Sequence, residues 1–180
     1  MRSYWLLIIV VAHVSCYPGG RTNTCGSDVT EQTDKIDKLI LEKDPYESSM
    51  AYLRFPTHGF RADSFPLLDS NFVQSFVRVN YDTLTRKITS ISFALGKERS
   101  SRATRGDEFY YDDNNKLMKI QILTNDTDPQ HKATYYFQNN TLICKRTKYI
   151  EIRDLESYIL KTDTIYRKVR AVLVEKGDID

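Results

Sequence analysis

Phe-Tyr-Tyr-Asp-Asp-Asn-Asn-Lys-Leu-Met-Lys at 109–119 returns, altered, as Thr-Tyr-Tyr-Phe-Gln-Asn-Asn-Thr-Leu-Ile-Cys at 134–144. Tyr110 and Tyr111 match Tyr135 and Tyr136, Asn114-Asn115 matches Asn139-Asn140, and Leu117-Met118 matches Leu142-Ile143. Asn tolerates positive φ, so an Asn-Asn pair can fill the two central positions of a tight hairpin turn. Aromatics before the turn and apolar residues after it then pair across two strands. A fainter third copy at 157–167, Ser-Tyr-Ile-Leu-Lys-Thr-Asp-Thr-Ile-Tyr-Arg, puts Thr162-Asp163 at its turn.

Upstream, Phe72 to Asn80 is rich in Val and Phe, and Lys87 to Leu95 alternates Ile91, Phe93 and Leu95 with Ser90, Ser92 and Ala94. Both read as strands. With the three hairpins they predict a mainly β (α+β) fold: an antiparallel meander of about eight strands, able to curl into a half-barrel, with an N-terminal helix. That helix runs from Thr30 to Lys43, with Thr30 or Asp28 as cap, Ile36, Leu39, Ile40 and Leu41 on its apolar side, and Pro45 as its stop. It is expected to cover part of the buried face. Residues 44–70 read as irregular, punctuated by Pro45, Pro56 and Pro66 and carrying Tyr46, Tyr52, Phe55, Phe60 and Phe65. Near the C-terminus, Leu155, Ile159, Ile165, Val169, Val172 and Leu173 also lie at helical spacing. The β-branched Thr162, Thr164, Ile165, Val169, Val172 and Val174 favour strands there.

The first sixteen residues, MRSYWLLIIVVAHVSC, place a positive Arg2 before an apolar run from Trp5 to Ala12 and a small-residue exit. That order is an export signal, and the run is too short for a membrane span. His13-Val14-Ser15-Cys16 resembles a bacterial lipoprotein signal, in which the last residue becomes the lipidated cysteine; His13 stands where a Leu-like residue is usual. Ordinary cleavage just after Cys16 is the other route. Tyr-Tyr, Asn-Asn, Leu hairpins behind such a signal resemble small exported proteins of the Bacteroidota. The resemblance covers the signal and residues 109–167. It implies a surface or periplasmic lipoprotein and carries no functional residues across. Residues 17–29 (YPGGRTNTCGSDV) then read as a flexible tether, and 30–180 as one globular domain.

Of the three cysteines, Cys16 goes to lipid or is lost with the signal, leaving Cys25 and Cys144. In an oxidising compartment they can form a bridge whose long loop contributes on the order of 4 kcal/mol. Two unbridged thiols are the alternative. The net charge of +2 gives no field that would draw nucleic acid.

Catalytic and metal motifs are sparse. His58 and His131 stand far apart, and no zinc spacing, phosphate loop or nucleophile elbow occurs. A nucleophile could be assembled from Ser64 or Ser70, His58, and Asp63 or Asp69, but a proline-bracketed loop explains them as well. Asp107-Glu108, Asp112-Asp113 and Asp126-x-Asp128 read as turn chemistry rather than a calcium loop. Lys97, Arg99, Arg102 and Arg105 read as a solvated hairpin tip. Asn125 and Asn139 fit the glycosylation pattern, which matters only in a eukaryotic secreted protein.

No cofactor and no metal are expected. The expectation is an exported, lipid-anchored, non-enzymatic binding or scaffolding protein of the cell envelope. It would meet the membrane through Cys16 and act on an envelope protein or an apolar small molecule. Its place would be an outer-membrane or periplasm-facing lipoprotein, or otherwise the secreted medium. The alternative is a carrier for a lipid or other apolar ligand in a β half-barrel. A hydrolase with a dispersed site comes third.

Overall fold

The computed structural model describes residues 22–23, 25–43, 54, 56–61, 65, 73–96, 103–124, 132–147 and 150–179. The elements are β1 (Thr22–Asn23), α1 (Thr30–Glu42), β2 (Thr57–Arg61), β3 (Val73–Asp82), β4 (Lys87–Gly96), β5 (Ala103–Tyr111), β6 (Leu117–Thr124), β7 (Lys132–Gln138), β8 (Thr141–Thr147) and α2 (Leu155–Glu175). They form a mainly β, α+β fold, with two helices complete among the described residues. The antiparallel sheet runs β2-β3-β4-β5-β6-β7-β8, with the two-residue β1 along the outer side of β8. It does not close.

Two expectations about the strands are corrected. Residues 57–61, expected to be irregular, pair with β3 from Thr57↔Asn80 to Arg61↔Phe76. The third hairpin at 157–167 lies instead within α2, toward its N-terminal end. There the buried residues Tyr158, Thr162, Ile165, Tyr166, Val169 and Leu173 recur at helical spacing. Helix propensity costs for β-branched residues are only tenths of a kcal/mol each, whereas each large apolar side chain buried stabilises by about 1.5–3 kcal/mol. Burial wins. Asp154 starts the helix by accepting Ser157 N–H at 3.0 Å. Gly177, at φ 77°, ends it.

The turns follow their asparagines only in part. Asn139 and Asn140, at φ 51° and 65°, make the two-residue link between β7 and β8. The loop at 112–116 is longer. There Asn115 alone has positive φ, and the Asp112 carboxylate accepts N–H groups from Asn114 and Lys116, both at 2.8 Å. This difference in loop length breaks the repeat. Side chains alternate with period two, so the aligned Tyr110 and Tyr135 end on opposite faces.

One face of the sheet carries Val77, Val79, Ile91, Phe93, Leu95, Phe109, Ile120, Ile122, Tyr135 and Phe137, all buried together with the inner side of α2. Phe109 meets Tyr158 at 5.8 Å between ring centres and Tyr111 meets Tyr166 at 4.7 Å. The helix α1, expected over this face, lies on the other one. It begins at Thr30, with Val29 at the cap position and no capping side chain, and only Thr33 is buried. Leu39 and Leu41 stay exposed. With so little apolar surface to bury, α1 docks by polar contacts. Asp37 bonds Lys119 Nζ at 2.6 Å and Tyr136 Oη at 2.8 Å, and Arg146 donates to Thr33 at 3.0 Å.

Candidate functional site

Cys16 and Asn125 lie outside the described residues. Cys25 and Cys144 are brought together: a disulfide joins them, with Cα atoms 4.7 Å apart. The stretch expected as a tether is therefore fastened in its described part. Thr22 and Asn23 pair with Thr147 and Arg146, and residues Ser27–Val29 form a 3-10 turn leading into α1. Asn139 sits exposed at its turn.

The residues of the candidate nucleophile, Ser64, Ser70, Asp63 and Asp69, lie outside the described residues; His58 is on β2. Its Nε2 is 3.3 Å from Asp178 and 3.5 Å from the Tyr81 hydroxyl, and its ring stacks on Tyr81 at 5.5 Å. Both contacts use the same nitrogen. His58 thus links the edge strand to the segment after α2.

The reading of Arg105 as part of a solvated tip is corrected, and so is that of Asp107-Glu108 as turn chemistry. Lys97, Arg99 and Arg102 lie outside the described residues. Arg105 and Asp107 point from β5 into the apolar face, where Asp107 is 0% exposed. Arg105 donates to both Asp107 oxygens, at 2.7 and 2.8 Å, and the Tyr158 hydroxyl donates to the same carboxylate. Burial and then the Asp107 charge hold the Tyr158 pKa well above its ordinary value, so it remains a donor. A bidentate pair with a third partner suits a carboxylate with no access to water. It locks α2 to the sheet. Glu108, one residue on, faces the other side.

That other side holds what the sequence reading missed. Register places Arg78, Ser92, Glu108, Gln121, Thr134 and Arg146 in one row across six strands. The neighbouring row is Thr57, Asn80, Ser90, Tyr110, Lys119, Tyr136 and Cys144. The rows are preorganised by their own bonds. Thr57 donates to Asn80 at 2.7 Å, Asn80 donates to Ser90 at 3.0 Å, and Tyr110 donates to Glu108 at 2.7 Å. Lys119 lies 5.7 and 5.4 Å from the Tyr110 and Tyr136 rings, and Arg146 lies 5.2 Å from that of Tyr136. Where the C-terminal end of α1 overhangs β3–β5, a cleft of about 80 Å³ opens on Arg78, Asn80, Ser90, Ser92, Glu108 and Tyr110, with Ile40 and Met118 as its apolar side. Donors and acceptors of both signs are fixed around it. No His or Cys is among its described lining residues. Among the described residues, no group of three or more His, Cys, Asp or Glu could hold a metal. The alternation of Ser90, Ser92 and Ala94 was the available signal, but a polar strand face reads first as a wet one.

No family model matches the chain, and no curated protein or solved structure matches it either.

Proposed function

We propose that the chain is an exported, non-enzymatic binding or scaffolding protein of the cell envelope, held there by a lipid on Cys16. It meets its partner with the polar face of the sheet. The observation that carries this reading is the Cys25–Cys144 disulfide, nine residues beyond Cys16. Disulfides belong chiefly to oxidising compartments outside the cytoplasm. The bridge also accounts for two of three cysteines and leaves Cys16 for the lipid. The cleft beneath α1 supports binding, because its network presents fixed donors and acceptors.

The carrier reading has less support. The apolar face that a half-barrel would offer to a ligand is filled by α2.

Intact-mass analysis of the natively exported protein tests the proposal. A diacylglyceryl mass on Cys16, with a two-hydrogen deficit for the bridge, is the expected result. Free thiols in the exported protein, or hydrolytic turnover lost on His58→Ala, would overturn it.

A further inference from the structure

The helix α1 is seated unlike α2. Only Thr33 of it is buried, no side chain caps its start, and no basic residue stands in its last turn. Its apolar side does not close on the sheet. Ile36 and Leu39 instead border an open groove of about 360 Å³, faced by Leu117, Met118, Phe137 and Ile143. Farther along the helix, Ile40 overhangs the polar cleft. A packed interior leaves few such gaps, and a helix of 13 residues is marginal in water without tertiary contacts. The central contact of α1 is one carboxylate. The two oxygens of Asp37 are taken separately, one by Lys119 Nζ at 2.6 Å and the other by the Tyr136 hydroxyl at 2.8 Å. Both holders belong to the sheet and are buried, Lys119 at 7% and Tyr136 at 2% exposed. Arg146, 5.2 Å from the Tyr136 ring, reaches Thr33 beside them. At the far end, Lys43 pairs with Asp113 at 2.6 Å.

We propose that the seat of Asp37 is a carboxylate-binding site for an acidic segment of a partner protein, and that α1 is a strap that fills it until the partner arrives. The structure already holds the bound group, with the Asp37 carboxylate standing where the partner's would. A grip on both oxygens, from an ammonium and a phenol with a guanidinium alongside, suits a carboxylate. Burial, and then the Asp37 carboxylate, raise the Tyr136 pKa, so its hydroxyl stays a donor. The charge balance changes when the helix lifts. Asp34, whose charge also reaches Tyr136, leaves with Asp37. The sheet keeps Glu108, which already accepts from Tyr110 and Gln121, beside Lys119, Arg146 and the exposed Lys132. An acidic segment restores what the strap takes away. The strap stays close, because Cys25, just ahead of α1, is bridged to Cys144. It competes at a high effective concentration, so a partner's affinity is lowered by the fraction of time the seat is filled. The inference rests on the polar face being the binding face and is independent of the lipid on Cys16.

The test uses the full chain with its disulfide intact, isotope-labelled for NMR and titrated at low salt with a short polyglutamate peptide, with polylysine as the control. Wild type should bind weakly, with faster amide exchange over 31–42 at saturation and unchanged exchange in α2. Asp37→Ala should bind polyglutamate roughly tenfold more tightly, because the internal competitor loses its grip. The shifts should centre on Lys119, Tyr136 and Arg146. Lys119→Gln in the Asp37→Ala background should bring the affinity back to the wild-type level or below. Arg146→Gln should weaken it as well, which keeps the test valid if the buried Lys119 is needed for folding. Equal affinity with and without Asp37, binding unchanged by both sheet variants, or equal binding of polylysine would overturn the proposal. Shifts at Asn80, Ser90 and Ser92 alone would overturn the strap and its seat while keeping the polar face as the binding face. No binding of polyglutamate by Asp37→Ala would overturn the site and leave the lipid anchor to be judged by mass.

Discussion

Asp107 is the residue on which the union of sheet and α2 rests. Asp107→Asn keeps the shape but removes the buried carboxylate charge that Arg105 and Tyr158 grip, a loss of roughly 3–5 kcal/mol. It should appear as a large fall in the urea midpoint. Tyr158→Phe removes a single donor and should cost far less, about 1–2 kcal/mol. Asp82 sets a different test. Burial opposes its charge, but Arg54 at 3.0 and 2.7 Å and the Leu84 N–H at 2.9 Å hold its pKa below the ordinary carboxylate value. The stabilisation is therefore whole above the unfolded pKa of about 4, and drains away as pH falls through the lower folded value. Wild type should lose urea resistance as the pH falls below about 4, and Asp82→Asn should flatten that limb. Residues of this kind were unevenly legible. Asn139 and Asn140 announced their backbone conformation. Arg105 did not, because a charge at the end of a basic run gives no hint that Asp107, two residues on, turns it inward.

At the scale of elements, α2 was the hardest to read. Its β-branched residues argue for strands, and its apolar stripe argues for a helix. The decision comes from the partner surface, which one segment cannot display. The capping contact from Asp154 to Ser157 was also there to be read. Asp154→Ala should lower stability by about 1 kcal/mol and shift the thermal midpoint measured by circular dichroism, with native spectra at low temperature. The helix α1 was legible as a helix but not in its placement. Ile36 and Ile40 suggested the core, yet Asp37 sets its seat through Lys119 and Tyr136. Asp37→Ala should loosen α1 selectively, seen as faster amide exchange over 31–42 with the β3–β6 amides unchanged.

For the whole molecule, the alternating strands and hairpin turns made the meander legible, and cysteine counting brought Cys25 to Cys144. The polar cleft was not legible, since it depends on which strands lie side by side and in what register. Cys25→Ser should cost roughly 2–5 kcal/mol in the oxidised protein, and should speed amide exchange along β8. Reductant should do the same to wild type and nothing further to the variant. The strand order carries one more consequence. Among the described strands, β3 to β8 each lie beside their predecessor in the chain, and β1 alone is placed out of order, beside β8. A polypeptide delivered N-terminus first can build such a sheet in one direction, each hairpin closing locally and quickly against the last. Thr22 and Cys25 must wait until β8 has arrived. The earliest of the described strands is thus the one whose partner comes latest in the sheet.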